Sequence, residues 1–299
     1  SGQNHPNGVI INYYIKNLQE DDYIRIDIEN KDGSVIRTFT NNKYKHSKIE
    51  NNDVNKMVGN PVLSNPNDID NALSSDNLVS LSPRSGGNRL IWDMRYPGFK
   101  SFEGMVLYSS PNVGPKVAPG KYNIKMTYND QIQIKEFEIV KDPRVKISQA
   151  DYEDQLEFLI NVRDEVSRAN QKIIDIRNIK NNMIFISEKT RDNTELQEMI
   201  NNYLTDISEI ENNIHMTKNQ SRQDPLNYGI RINNRIAFLL ADSQRGDYPP
   251  TDQSKEFFIQ VKGELDSEVM KLDAMIDKHS QKIENYLEEN KIELISLNN

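Results

Sequence analysis

The chain contains no cysteine, which removes disulfides, thiolate nucleophiles and Cys-based zinc sites together. Histidine is scarce: His5, His46, His215 and His279 are the whole set, and none stands three or four residues from another, the spacing of a helical metal pair. No apolar run approaches the roughly 20 residues that span a bilayer, so no transmembrane segment is expected. Gly-rich phosphate loops are missing, because Ser85-Gly86-Gly87 lacks the Lys and the helix that follow in a P-loop. Positive charge is also in deficit. With 37 Lys and Arg against 45 Asp and Glu, the net charge is -8 and the pI about 5.2. A phosphate-backbone partner needs clustered cations to displace counterions, so nucleic acid is excluded, and anionic membrane surfaces are disfavoured for the same reason.

What is present reads as two unlike modules. At 299 residues there is room for two domains of ordinary size, each with its own core. A hydrophobic share of 36% marks a globular chain, while a mean hydropathy of -0.75 leans towards long solvated helices and polar loops. The junction falls at Asp142-Pro143-Arg144.

Before it, short alternating strands are separated by turns. Residues 9–15 are rich in Ile, Val and Tyr, and 23–28 and 35–39 flank Asp32-Gly33 as a hairpin. Ile24, Ile26 and Ile28 fall on one face, expected to be core, and Arg25, Asp27 and Glu29 on the other, expected to be wet. A polar insertion covers about 41–87, with a short helical turn around 68–73. Strands resume at 89–95, 105–108, 120–128 and 131–140, the last two joined by a turn at Asn129-Asp130. Ile124, Met126 and Tyr128, opposed to Ile132, Ile134, Phe137 and Ile139, are expected to supply much of an inner face. This pattern predicts an Ig-like antiparallel β-sandwich of about seven strands over 8–141.

After the junction, apolar residues recur at alternating spacings of three and four. The predicted helices are about 148–188, 193–217, 225–244 and 251–289. Ser148 with Asp151 resembles a capping box. Asp224 before Pro225 reads as an N-cap with proline at the first helical position, and Thr251 opens the fourth helix. Their lengths of roughly 60, 38, 30 and 58 Å, joined by short loops, suit an up-down four-helix bundle over 145–292. The fold class expected is therefore α+β and multidomain.

No constellation of catalytic residues emerges. Glu20-Asp21-Asp22 reads as a solvated turn, and Asp151, Glu153 and Asp154 sit where a helix dipole favours acid. The serines lack a nucleophile elbow. Residues 65–70 offer oxygen donors for a weak calcium contact but no EF-hand pattern. His215 and His279 border or lie on apolar stripes, where a neutral imidazole bonded to a neighbour is expected. The single Trp, Trp92, stands with Asp93, Arg95 and Tyr96 in 88–98, and Tyr108 follows. These aromatics and Arg95 can be read as a platform stacking on sugar rings, or Trp92 as a core residue of the sandwich.

Several separated stretches carry a resemblance. Gly87-Asn88-Arg89-Leu90-Ile91-Trp92-Asp93-Met94-Arg95-Tyr96-Pro97-Gly98 is followed by Gly104-Met105-Val106-Leu107 and by Gly114-Pro115 to Pro119-Gly120-Lys121-Tyr122. Val9-Ile10-Ile11-Asn12-Tyr13-Tyr14, Lys141-Asp142-Pro143-Arg144, Leu226-Asn227-Tyr228, Ile232-Asn233-Asn234 and Pro250-Thr251 agree. Together they resemble the C-terminal region of bacterial sortilin-like, BNR-repeat β-propeller proteins, often labelled glycosyl hydrolases. The resemblance implies a larger exported protein, periplasmic, cell-surface or secreted, with a propeller upstream of this stretch. The propeller's Ser-x-Asp-x-Gly-x-Thr-Trp boxes are absent here, so no catalytic residue carries over. The expected role is a non-catalytic accessory and interaction region that packs beside the propeller and faces a protein partner, with no cofactor and no metal. A glycan-binding module around Trp92, Arg95, Tyr96 and Tyr108, and an auxiliary part of a glycoside hydrolase, are the alternatives.

Overall fold

The computed structural model describes residues 7–41, 78–292 and 294. The expected helical turn at 68–73, the weak calcium stretch at 65–70, His5, His46 and most of the polar insertion lie outside them. The fold is α+β, with two compact units. Unit 1 comprises Ser1–Ser101, Asn112–Asn161 and Gln244–Pro250; unit 2 comprises Phe102–Pro111, Val162–Ser243 and Thr251–Asn299.

Among the described residues, unit 1 holds seven strands in two sheets. β1 (Val9–Ile15) pairs antiparallel with β5 (Gly86–Trp92). The other sheet has the order β4-β3-β2-β6-β7, made by β2 (Ile24–Glu29), β3 (Val35–Thr40), β4 (Leu78–Ser80), β6 (Gly120–Tyr128) and β7 (Gln131–Ile139). Gly33 at φ 86° and Asn129 at φ 50° supply the left-handed backbone that the β2–β3 and β6–β7 turns require. Ile24, Ile26 and Ile28 are fully buried and share one core with Ile11, Ile15, Ile36, Phe39 and Trp92.

Several expectations need correction. The sheet is mixed, because β4 runs parallel to β3, and β4 lies within the stretch expected as an insertion. The face expected to be wet is not: Asp27 and Glu29 are buried, and Asp27 is held by Arg25 Nε at 2.8 Å and Thr38 Oγ1 at 2.5 Å. Ile132 and Ile134 are 58% and 62% exposed. Period two forces this, since Phe137 and Ile139 face the core and residues an odd number of positions away must face outwards.

No strand forms at 105–108. The segment Phe102–Pro111 belongs to unit 2, where Asn234 does what a neighbouring strand would otherwise do. Tyr108 N–H donates to Asn234 Oδ1 at 2.8 Å, and Asn234 Nδ2 donates to Tyr108 O at 3.0 Å.

The helices are α1 (Gln149–Lys189), α2 (Thr194–Ile214), α3 (Pro225–Tyr228), α4 (Ile232–Ser243) and α5 (Asp252–Glu289). α1 begins in unit 1 and continues into unit 2. Reciprocal bonds between Ser148 and Asp151 open it, Ser148 N–H to Asp151 Oδ2 at 2.8 Å and Asp151 N–H to Ser148 Oγ at 3.1 Å. Thr251 caps α5 by accepting from Ser254 N–H. The helix expected at 225–244 is instead two elements, because Gly229 adopts φ 76° and ends α3 after one turn. Asp224 holds the N-cap position ahead of Pro225, as expected, but its side chain makes no capping bond: its backbone is helical, and its carboxylate accepts from Gln220 N–H at 2.7 Å and Ser221 N–H at 2.8 Å.

The stripes of unit 2 carry its stability. Val162, Val166, Ala169, Ile173 and Ile176 of α1 are fully buried, as are Leu196, Ile200, Tyr203 and Ile207 of α2 and Leu265 and Leu272 of α5. A buried aliphatic side chain contributes about 1.5–3 kcal/mol. Partly exposed ion pairs such as Arg168 with Asp266 are worth at most about 1 kcal/mol. Apolar burial therefore decides the packing, and the charges tune it.

Candidate functional site

The four residues considered for a sugar platform do not form one. Trp92 is 1% exposed, its ring edge-on to Tyr122 and Phe137 with both centroids at 6.3 Å, and its indole N–H donates to Arg95 O at 3.1 Å. Neither face of the ring is open to stack on a ligand. Tyr96 is half-buried and bonded to Asn30 Nδ2 at 3.1 Å, and Tyr108 belongs to unit 2. Arg95, whose carbonyl accepts that indole bond, lines the wall of a cleft of about 360 Å³.

That cleft is assembled by local bonds. Arg95 and Lys116 form an antiparallel bridge, flanked by Tyr96 N–H to Pro115 O at 2.9 Å and Val117 N–H to Met94 O at 2.9 Å. The two segments approach so closely that a Cβ at Gly114 would collide with the carbonyls of Tyr96 and Pro97. Arg95 Nη1 donates to Gly114 O at 2.7 Å and to Gln244 Oε1 at 3.0 Å. From the first turns of α1, Gln155 Nε2 donates to Gly246 O at 2.7 Å and Tyr152 Oη to Asp247 Oδ2 at 3.4 Å. Val117, Ala118 and Leu159 give the cleft an apolar floor.

The lining is cationic in an acidic chain: Arg95, Lys116, Lys141 and Arg245 face Asp142 and Asp247. Hydrogen bonds from Arg144 pull the Asp142 carboxyl down to about 2, so it exchanges no proton near neutrality. Burial, with Asp247 beside it, pushes the Tyr152 phenol up. An apolar floor under surplus cations is suited to holding an anionic, partly apolar segment.

Unit 2 contains a buried polar cluster. Asn233, fully buried, donates from Nδ2 to Asn170 Oδ1 at 3.0 Å and to His215 Nδ1 at 3.2 Å, which assigns the imidazole proton to Nε2. The Phe102 ring meets His215 edge-on at 4.9 Å, and Arg177 lies 4.7 Å from the Phe102 centroid. Burial, with the Arg177 charge nearby, pushes His215 down to about 4. Burial would raise the Glu211 carboxyl, but bonds from Lys180 at 2.5 Å and Arg177 Nε at 2.9 Å outweigh it and hold it below its ordinary value. His279 stacks on Tyr203 at 4.8 Å and bonds to Asp206 Oδ2 at 2.8 Å. These groups clamp helices and the Phe102–Pro111 segment together.

Sequence spacing does not reveal the cleft, because Arg95, Lys116, Lys141 and Arg245 come from four separate segments. One signal was available at Tyr152 and Gln155, which continue the three-four spacing of Leu159, Val162 and Val166 and so place two polar groups on an otherwise apolar stripe. Among the described residues no three His, Asp or Glu side chains are grouped to hold a metal ion, and no helix is long and apolar enough to cross a membrane. Compared with known proteins, the chain matches no protein-family model, no curated protein and no solved structure.

Proposed function

We propose that this chain is a non-catalytic interaction region of a larger exported protein of the sortilin-like, BNR-repeat kind, in which an Ig-like sandwich and an up-down four-helix bundle follow a β-propeller. The two sheets sharing one core and the long apolar stripes of α1, α2 and α5 support that architecture. The observation that carries the functional reading is the cleft of unit 1, with four cations over an apolar floor in a chain of net charge -8. Its occupant is an extended segment of a partner protein that alternates acidic and aliphatic side chains. Charge complementarity selects it, because among the described residues Lys116 has no ion pair or hydrogen bond from its own side chain, and Lys141 donates only to Ile147 O at 3.2 Å.

The test is a fluorescence titration with a blocked peptide of alternating Glu and Leu, beside one of alternating Lys and Leu. The acidic peptide is expected to bind with a Kd of about 10–100 μM, and Lys116→Glu with Lys141→Glu to weaken it about tenfold or more. Both lysines are exposed, so the double variant keeps its fold. Equal binding of the two peptides, or no loss on charge reversal, would overturn the reading.

A further inference from the structure

Independently of the cleft, unit 2 contains a cavity of about 450 Å³ where α2, the start of α4 and α5 meet. Its charged groups can be accounted for one by one. Arg235 reaches Glu264 through both Nη atoms, and Gln260 Nε2 adds a bond to the same carboxylate at 3.1 Å. Glu268 accepts from Lys271 Nζ at 2.6 Å and Asn213 Nδ2 at 3.1 Å. Both acids of the cavity are thus satisfied. Arg231 is not. Among the described residues its half-buried guanidinium has no acceptor, and its Nε is withdrawn from solvent without a hydrogen-bond partner.

An N–H removed from water without an acceptor is costly, more so on a charged group, and is rare in folded chains unless something supplies the acceptor. A ligand entering the cavity reaches the Nη atoms rather than the closed-off Nε, and the partner that suits their fork is planar, bidentate and singly negative. The guanidinium fork matches a carboxylate, and the neighbouring Glu264 and Glu268 would repel a more highly charged phosphate. Ile230, 42% exposed at the rim, offers an apolar wall for a short hydrocarbon body. The first turn of α4, a helix of 12 residues, adds the positive end of its dipole at the same place.

We propose that the Arg231 cavity binds a carboxylate with a small branched apolar body, either a free short-chain acid or the C-terminal carboxylate of a polypeptide. The chemistry is common to both sources, and the experiment separates them. The full chain is titrated with isovalerate, with acetyl-Ala-Leu bearing a free carboxylate, and with the same peptide as its amide, following amide and guanidinium N–H resonances by NMR. Isovalerate is expected to saturate with a Kd of about 1 mM, and Arg231→Gln to weaken it about tenfold. Ile230→Glu, an exposed change that leaves the fold intact, should weaken binding comparably by placing a competing carboxylate at the rim. Tighter binding of the free-carboxylate peptide than of isovalerate, with none by the amide, identifies a polypeptide terminus as the natural source; the reverse order identifies a free acid. No saturation by any carboxylate, or full binding in both variants, would contradict the proposal.

Discussion

Replacing Trp92 by alanine is expected to destabilise unit 1 by about 4 kcal/mol, near the upper end for a large-to-small change in a core. Three losses combine. The ring is 1% exposed, so its whole apolar surface is withdrawn from water in the native state, and its removal leaves a cavity in the core beside Tyr122 and Phe137. Two edge-to-face contacts, with Tyr122 and Phe137, disappear. Arg95 O loses the indole donor that holds it at 3.1 Å. Trp92→Phe keeps part of the packing and none of the hydrogen bond, and should cost about half as much. Urea unfolding followed by far-UV circular dichroism measures both, because the variants lack the only tryptophan. Since Arg95 also lines the cleft, acidic-peptide binding should weaken in Trp92→Ala at temperatures where the variant is still folded. An alanine variant as stable as the parent chain would mean that the ring is not core.

Acidification is expected to remove roughly 3 kcal/mol of stability through His215 alone. The sign follows from the direction of the shift. Its folded value is about 4 against an ordinary 6.5, so the unfolded chain binds the proton more readily. The stabilisation is complete above 6.5 and declines as pH falls towards 4. Burial is the main cause, Arg177 adds to it, and the Asn233 bond and Glu211 partly oppose it. Glu211 does not confuse the measurement. Its carboxyl is held below 4.5, so its contribution is lost only as pH falls through that lower range, and the window from 6.5 to 4.5 reports on His215. Urea midpoints across that window should fall steeply for the natural chain and stay nearly flat for His215→Gln. Parallel slopes would contradict a buried neutral imidazole.

How much of this was legible depends on how local the physics was. The stripe of α2, with Leu196, Ile200, Tyr203 and Ile207 all fully buried, could be read directly because helical period is set by the backbone and repeats over many turns. The capping pair Ser148 and Asp151 was legible for the same reason, since both partners lie within one turn. What escaped depends on long-range partners. Alternation predicts which residues share a face, but not that Asp27 would be buried against Arg25 and Thr38. Met105 to Tyr108 has the composition of a strand, yet Asn234, 126 residues away from Tyr108, provides its backbone partner. Gly229 could have signalled the break between α3 and α4, because glycine at a left-handed position ends helices. The unmatched Arg231 also left a trace, as no acidic residue occurs from 225 to 241 to pair with it along the chain.

The proposed reading is that this chain binds and performs no chemistry of its own, and hydrolysis of an oligosaccharide by the larger parent protein that the proposal supposes tests it most directly. The comparison is between the parent with and without residues 8–292. The account predicts kcat within about twofold in the two forms, with any change confined to KM or to partner binding. A fall of about a hundredfold in kcat on removal, recovered when this chain is added back, would place reacting groups within it and contradict the account.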